Sequence, residues 1–187
     1  LPYWIGFNRV AGVGPSRLRL LLDFFNDDIK AAWEANQSQF VQAGLDRRTV
    51  NSIMKSRPKV NLDREMALIE QHGVQVLTWN DADYPKLLRE LSAPPPVLYV
   101  RGELLPDDEW AVAIVGTRKM SAYGRRVTEM LVNGLTEAGL TIISGLALGV
   151  DGVAHHTALQ TGRRTIAVLA NGLDRTYPAR HQKMAET

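Results

Sequence analysis

Three glycine-containing loops, each directly after a short run of β-branched residues, are the segments of this sequence best suited to bind a ligand. Their candidate contact residues are Gly116, Thr117, Arg118, Ser144, Gly145, Asn171 and Gly172. Glycine lets backbone N–H groups approach an anion closely, and an arginine adds a planar cation. The second loop also supplies a hydroxyl and a helix N-terminus. Together these features predict a phosphate-binding site.

Tyr177, at the end of the third loop, could extend the predicted site toward a nucleic acid. It could stack on a base, a contact that contributes about 1–3 kcal/mol, or it could be a buried structural tyrosine. Asp151, by contrast, would repel a phosphate, and its position predicts a helix N-cap that accepts from backbone N–H groups.

The sequence offers little for a cofactor or for catalysis. The dinucleotide fingerprint G-x-G-x-x-G is absent, and no acidic residue ends the second strand to hold a ribose, which argues against NAD. His155 and His156 are adjacent on a predicted helix, so their side chains diverge by about 100° and cannot share a metal ion. No serine–histidine–aspartate set can be assembled. We therefore predict a binding protein without catalytic residues, metal or cofactor.

A hydrolase of nucleoside monophosphates, built on the same kind of sheet, is the alternative function. Such an enzyme needs an acid beside the sugar, and the loops offer only Asp151 and Asp174. Both have a better structural explanation, so the binding interpretation ranks first. A third interpretation, an interaction module with an unused crevice, predicts no DNA binding at all.

Composition narrows the class of partner. The chain has no cysteine, which excludes disulfides and thiolate zinc sites, and it has no apolar run of transmembrane length. Its net charge is +2, but residues 111–187 hold 9 Lys and Arg against 5 Asp and Glu. This basic excess coincides with the glycine loops and favours an anionic partner.

The elements that position the loops alternate between strand and helix from Ala111 onward. Strands are predicted at 112–115, 141–143 and 165–169, and the alternation predicts a parallel, doubly wound sheet with the loops at one edge. The first intervening helix is predicted to follow an N-cap at Ser121 and to turn an apolar face to the core. That face comprises Val127, Met130, Leu131, Gly134, Leu135 and Ala138.

The sequence predicts two domains, a helical N-terminal domain over 1–60 and an extended Rossmann domain over 61–187. Helices of the first domain are predicted to begin at Pro15, after Asp28 and after Asp46. The loop at 10–14 resembles a helix-hairpin-helix turn, which can present N–H groups to a DNA phosphate. Strands predicted at 74–79 and 97–101 belong to the second domain. Its sheet ends before the strands that normally complete it, so we expect its C-terminal part to be missing.

Four segments together resemble the DNA processing protein A (DprA, or Smf) family. They are DADYPKLLRELSAPPPVLYVRGEL (81–104), VAIVGTRKMSAYGRR (112–126), IISGLALGVDGVAHHTAL (142–159) and TIAVLANGLDRTYPARH (165–181). Four such segments in this order and spacing are specific, and the resemblance covers nearly the whole chain. It implies a SAM-like or helix-hairpin-helix-like domain followed by an extended Rossmann domain.

The resemblance also implies a function. It implies a cytoplasmic, non-enzymatic protein that binds single-stranded DNA without sequence preference, loads the RecA recombinase and protects incoming strands during natural transformation. Members form homodimers, and many carry a C-terminal winged-helix domain. By motif, Arg118 matches the family's phosphate-binding arginine, and the second and third glycine loops match its other contact loops. Some relatives have a lysine where this chain has Ala179, which makes Arg180 the candidate replacement.

Overall fold

The computed structural model describes residues 1–187, and their contacts divide the chain into two units, Leu1–Glu103 and Leu104–Thr187. The helices and strands of the first unit are α1 (Pro2–Asn8), α2 (Pro15–Phe24), α3 (Ile29–Glu34), α4 (Gln37–Gln42), α5 (Arg47–Ser56), α6 (Leu62–Gln71), β1 (Gln75–Thr78), α7 (Lys86–Arg89) and β2 (Val97–Val100). Those of the second unit are β3 (Ala111–Ala113), α8 (Ala122–Glu137), β4 (Thr141–Ser144), α9 (Val150–Gln160), β5 (Thr165–Ala167) and α10 (Gln182–Glu186). None of the helices combines the length and the apolar composition that a membrane span requires.

The first unit has one core that continues past the predicted domain boundary at residue 60. Buried residues of the N-terminal helices, among them Phe7 and Leu18, belong to the same cluster as Val76 on β1 and Val97 on β2. Because these strands bury their apolar side chains against the helices, the packing of the chain divides at Glu103 and not at residue 60. A family domain boundary at residue 60 stays a prediction.

Polar side chains cap the N-termini of four helices of the first unit, α3, α4, α5 and α6. The starts predicted at Pro15, after Asp28 and after Asp46 are all present. Asp46 accepts hydrogen bonds from the hydroxyl and the N–H of Thr49, and these bonds, together with the nearby Arg17, lower the pKa of Asp46 to about 2. Two helices, α1 and α4, were not predicted.

The two strands of the first unit form a sheet of their own. β1 and β2 pair antiparallel, with Gln75 opposite Val100. The proline-rich connector before β2 is held by two side chains, because Trp79 Nε1 and Tyr84 Oη both donate to the carbonyl of Pro95, at 3.1 and 2.8 Å. Both predicted strands are therefore present, but they lie in a separate sheet from the three strands that follow.

The second unit contains the predicted parallel sheet. Its strand order is β3-β4-β5, with Val112 opposite Ile142 and Ile143 opposite Ile166. This confirms the prediction of parallel neighbours from the alternation of strand and helix. Two of the strands end earlier than predicted, because 114–115 and 168–169 already belong to loops.

The face of α8 that packs on the sheet differs from the predicted one. Thr128, Val132 and Thr136 are buried, whereas Met130 and Leu131 are 64 % and 49 % exposed. The two threonines can be buried because each hydroxyl donates to a carbonyl of the preceding helical turn, at 2.8 and 2.9 Å. The prediction that Met130 and Leu131 face the core is therefore wrong.

An ion pair joins the segment before β3 to the start of β5. Arg164 donates to both carboxylate oxygens of Asp108, with Nη2 at 2.7 Å from Oδ2, and the Thr141 hydroxyl donates to the same carboxylate. Burial alone would raise the pKa of Asp108, but the hydrogen bonds from Arg164 and Leu105 outweigh it and leave the pKa below its ordinary value. The paired form of Asp108 is thus the ionised one.

Candidate phosphate-binding site

The three predicted loops lie at one edge of the β3-β4-β5 sheet. The first loop (114–120) leads from β3 to α8, the second (145–149) leads from β4 to α9, and the third (168–178) follows β5. Because the three strands are parallel, their carboxyl ends meet at the same edge, which is where open α/β sheets bind ligands. The structure therefore brings the three loops together.

The first and second loops contact each other through their backbones. The N–H of Val150 donates to the carbonyl of Thr117 at 3.2 Å. Gly149 has a φ of 82°, and a Cβ at this position would overlap the same carbonyl oxygen. Gly116 faces the side chain of Val150, where a Cβ would lie 2.7 Å from a methyl carbon. Glycine at 116 and 149 is thus what allows the two loops to meet.

Two predicted contact residues of the second loop already have partners inside the protein. The Ser144 hydroxyl is buried and donates to the carbonyl of Ile114 at 2.6 Å. The N–H of Gly145 donates to the carboxylate of Asp151 at 3.2 Å. Ser144 and Gly145 therefore hold the loop in position, while the N–H groups that remain without an acceptor in this loop belong to residues 147–149.

Asp151 does not have the predicted N-cap position. The N-cap of α9 is Gly149, and Asp151 lies in the first turn, where its carboxylate accepts from the second loop. The prediction that Asp151 caps the helix is wrong in its geometry, since the helix begins two residues earlier than an N-cap at Asp151 would place it. The side chain is 7 % exposed, which agrees with a structural role.

Two histidines that the sequence analysis did not assign contact the second loop at Leu146. The N–H of Leu146 donates to Nε2 of His155 at 3.3 Å, and the carbonyl of Leu146 lies 2.8 Å from Nδ1 of His181. Burial lowers the pKa of His155, although the nearby Asp151 opposes this effect. Asp151 and His155 are four residues apart on one helix, and this spacing could have indicated from the sequence that they lie together. No feature of the sequence indicated that His181 contacts Leu146.

Arg118 provides an unpaired positive charge at the first loop. Its side chain is exposed and has no carboxylate or carbonyl partner, and the N–H groups of Gly116, Thr117 and Arg118 have no acceptor within the protein. On the following helix, Arg125 pairs with Glu129 at 3.5 Å. A cation and three free N–H groups within three residues are donors of the kind that bind anions in proteins.

The third loop divides its predicted residues between internal and exposed positions. The side-chain amide of Asn171 donates to the carbonyls of Gly172 and Arg175, at 2.9 and 2.8 Å, and so shapes its own loop. Tyr177 is 68 % exposed, which disfavours the interpretation as a buried structural tyrosine. Arg180 is exposed as well, in a short 3-10 helix at Ala179–His181.

Comparison with known sequences shows which protein family this chain resembles. Residues 75–187 match the family model described as DNA recombination-mediator protein A. Across 98 % of the chain, the sequence is 37 % identical to a protein of Synechocystis named Protein Smf. The aligned region is 47 % of that relative, so this chain spans just under half of its length.

Two solved structures resemble the fold. The structure of DNA processing protein A from Streptococcus pneumoniae matches all of this chain and 63 % of its own, with a TM-score of 0.78 and 27 % identity. A structure from Helicobacter pylori matches 60 % of this chain and 50 % of its own, with a TM-score of 0.52 and 36 % identity. Its title describes the single-stranded DNA binding mode of DNA processing protein A from that organism.

Proposed function

Because the chain belongs to the DNA recombination-mediator protein A family, we propose that it binds single-stranded DNA through the edge formed by its three loops. The observation that carries the proposal is Arg118, an exposed and unpaired guanidinium beside the free N–H groups of the first loop. A backbone phosphate offers the negative oxygens that such donors bind.

The chemistry of the loops supports binding without sequence preference. Phosphate contacts position a nucleic acid but carry no information about its bases, and the free donors of the first two loops are backbone N–H groups and a guanidinium. In this proposal Tyr177 stacks on one base, which any base permits, and Arg180 binds a further phosphate in place of the lysine that some relatives have at Ala179. Ser144, Gly145, Asn171 and Gly172 contribute by shaping the second and third loops.

The remaining functional assignments follow from the family. We propose that the whole protein acts in the cytoplasm as a homodimer, loads RecA on single strands during natural transformation, and has no enzymatic activity. Residues 1–60 would form its SAM-like domain and 61–187 the start of its extended Rossmann domain. The proposals on RecA loading and dimer formation concern the whole protein, because the relatives are about twice as long as the region that this chain matches.

A binding titration tests the central proposal. Fluorescence anisotropy of labelled oligo(dT) and of a duplex of equal length, each at about 50 and 200 mM salt, should give tighter binding to oligo(dT), and this binding should weaken as salt increases. Equal affinity for both DNA forms, or no binding to either, would overturn it. RecA loading is tested separately, by whether the protein shortens the lag in RecA filament formation on strands coated with a single-strand-binding protein.

A further inference from the structure

We infer that His155 and His181 are positioning residues for the phosphate-binding edge, because together they bind both the backbone N–H and the backbone carbonyl of Leu146. The inference rests on the proposed function, since it concerns the same loops. Leu146 is a non-glycine residue with a φ of 56°, a conformation that L-residues adopt only when the surroundings fix it. Its side chain is buried as well. The second loop therefore needs partners that fix its backbone at this residue.

The hydrogen bonds around His155 define which nitrogen carries its proton. The Thr165 hydroxyl donates to the carbonyl of Ile142 at 2.8 Å, so its oxygen is left to accept from Nδ1 of His155 at 2.7 Å. Nδ1 is consequently the protonated nitrogen, and Nε2 has the lone pair that accepts the N–H of Leu146. Neutral His155 satisfies every group in this chain of bonds.

Protonation of His155 would break the arrangement. A second proton would sit on Nε2 and face the N–H of Leu146, so that two donors would oppose each other where a hydrogen bond now exists. The ionisable groups near His155 are Asp151, one turn earlier on α9, and His181 from the 3-10 helix. Asp151 and the backbone carbonyl of Ser144 would both stabilise the added charge, but Asp151 is already the acceptor for Gly145, and the Ser144 carbonyl for the N–H of Val168.

His181 binds the backbone carbonyl of the same residue and joins it to the segment after the third loop. Since the carbonyl of Leu146 can only accept, Nδ1 of His181 is the donor in this bond. Its ring also packs on Gly152, where a Cβ would lie 2.7 Å from Cε1. The position of the 3-10 helix that contains Arg180 is thereby coupled to the second loop.

The two histidines act on DNA binding through geometry, without contacting the DNA. In the second loop, the free N–H groups of 147–149 directly follow Leu146, and Gly149 contacts Thr117 of the first loop. If the backbone turns at Leu146, these donors and the first-loop contact move with it. We therefore expect oligo(dT) affinity to depend on the neutral state of His155.

Two substitutions at residue 155 provide the test. His155→Gln can place an amide oxygen where Nε2 lies and cannot titrate, whereas His155→Leu fills similar space without an acceptor. His155→Leu should weaken oligo(dT) binding about three- to tenfold, the effect of one hydrogen bond, and His155→Gln should retain most of the affinity. Both variants are compared with the wild type by anisotropy from pH 5 to about 8.

The pH profile separates positioning from general folding. Wild-type affinity should fall as the pH drops through the lowered pKa of His155, although added positive charge elsewhere would strengthen phosphate binding. The His155→Gln profile should lack this acid decline. An identical decline in wild type and His155→Gln, or equal affinity for His155→Leu and wild type, would overturn the inference.

Measurements made without DNA test the role of the histidines separately from the proposed DNA binding. Nitrogen NMR of the wild-type imidazoles should show His155 as the Nδ1–H tautomer, and the amide proton of Leu146 should exchange slowly at neutral pH and faster in His155→Leu. If these hold while the wild type fails to bind oligo(dT), the proposed function fails and the loop geometry stands. An Nε2–H tautomer would refute the positioning role itself.

Discussion

Replacing Arg118 with alanine removes the charge on which the proposed DNA site depends, with little other disturbance to the structure. The guanidinium is exposed and has no ion-pair partner, so its loss leaves no unpaired carboxylate behind. The contact between the first and second loops runs through the backbone at Thr117 and Gly149, which the substitution does not alter. We therefore expect the thermal stability to change by less than about 0.5 kcal/mol.

The effect on DNA binding should be much larger. A hydrogen bond to a charged group contributes about 1.5–3 kcal/mol, and 1.4 kcal/mol corresponds to a tenfold change in affinity, so Arg118→Ala should weaken oligo(dT) binding roughly ten- to a hundredfold. One fewer neutralised phosphate should also reduce the slope of log affinity against log salt by about 0.7. Anisotropy titrations at four or more salt concentrations give both quantities from one data set.

Arg126→Ala is the matched control. Arg126 is also an exposed arginine without an ion-pair partner, but it lies on α8, beyond the free N–H groups of the first loop. Its replacement should change affinity less than threefold or so, the level of a screened surface charge. Equal losses for Arg118→Ala and Arg126→Ala would mean that diffuse surface charge binds the DNA, and the reasoning from the loop geometry would be refuted.

Further predictions concern the stability of the fold and the alternative function as a nucleoside monophosphate hydrolase. Gly149→Ala should lower stability by more than about 1 kcal/mol in thermal unfolding, because the methyl group meets the Thr117 carbonyl at a positive φ; an unchanged midpoint would contradict the loop contact. Val132→Ala should cost roughly 1–3 kcal/mol and Leu131→Ala less than about 0.5, since only Val132 is buried; the reverse order in urea unfolding would restore the predicted face of α8. Asp108→Asn should remove part of the loss of stability below about pH 4, because the lowered pKa of Asp108 stabilises the fold above its ordinary pKa and this contribution disappears as the pH falls through the lowered value; parallel acid unfolding curves would argue against it. Nucleoside monophosphates incubated with the protein should release no base by chromatography, and release above background would favour the hydrolase.

The positions of the loops could be predicted from the sequence. Which hydrogen-bond donors of the loops are free to bind a ligand could not be predicted. The β-branched runs and the following glycines specify parallel strands with loops at one edge, because that pattern has few other solutions. Whether the Ser144 hydroxyl is free depends on the carbonyl of Ile114, 30 residues away in the sequence. Such long-range pairing leaves no local signal, and the same holds for His181 and Leu146.

Two of the errors in the helices, the buried face of α8 and the missed helix α4, have different physical causes. On α8 the threonines look polar in the sequence, but their hydroxyls bond to carbonyls of the same helix, so they pack on the sheet while Met130 and Leu131 stay exposed. The start of α4, by contrast, had a visible signal. Asn36 and Gln39 have the spacing of a capping box, and their side chains and backbones exchange hydrogen bonds at 2.9 and 3.0 Å.

The backbone contact between the first and second loops has a consequence for how fast a strand could be captured. Because the Val150 N–H and the absence of a side chain at Gly149 already fix the first loop, the anion-binding N–H groups need no rearrangement when a phosphate arrives. Association would then be limited by diffusion and by the attraction between charges, and its rate would depend on ionic strength more than on temperature. A strand sliding from one phosphate to the next would meet the same rigid donors at each step, which suits the sequence-independent DNA binding proposed above.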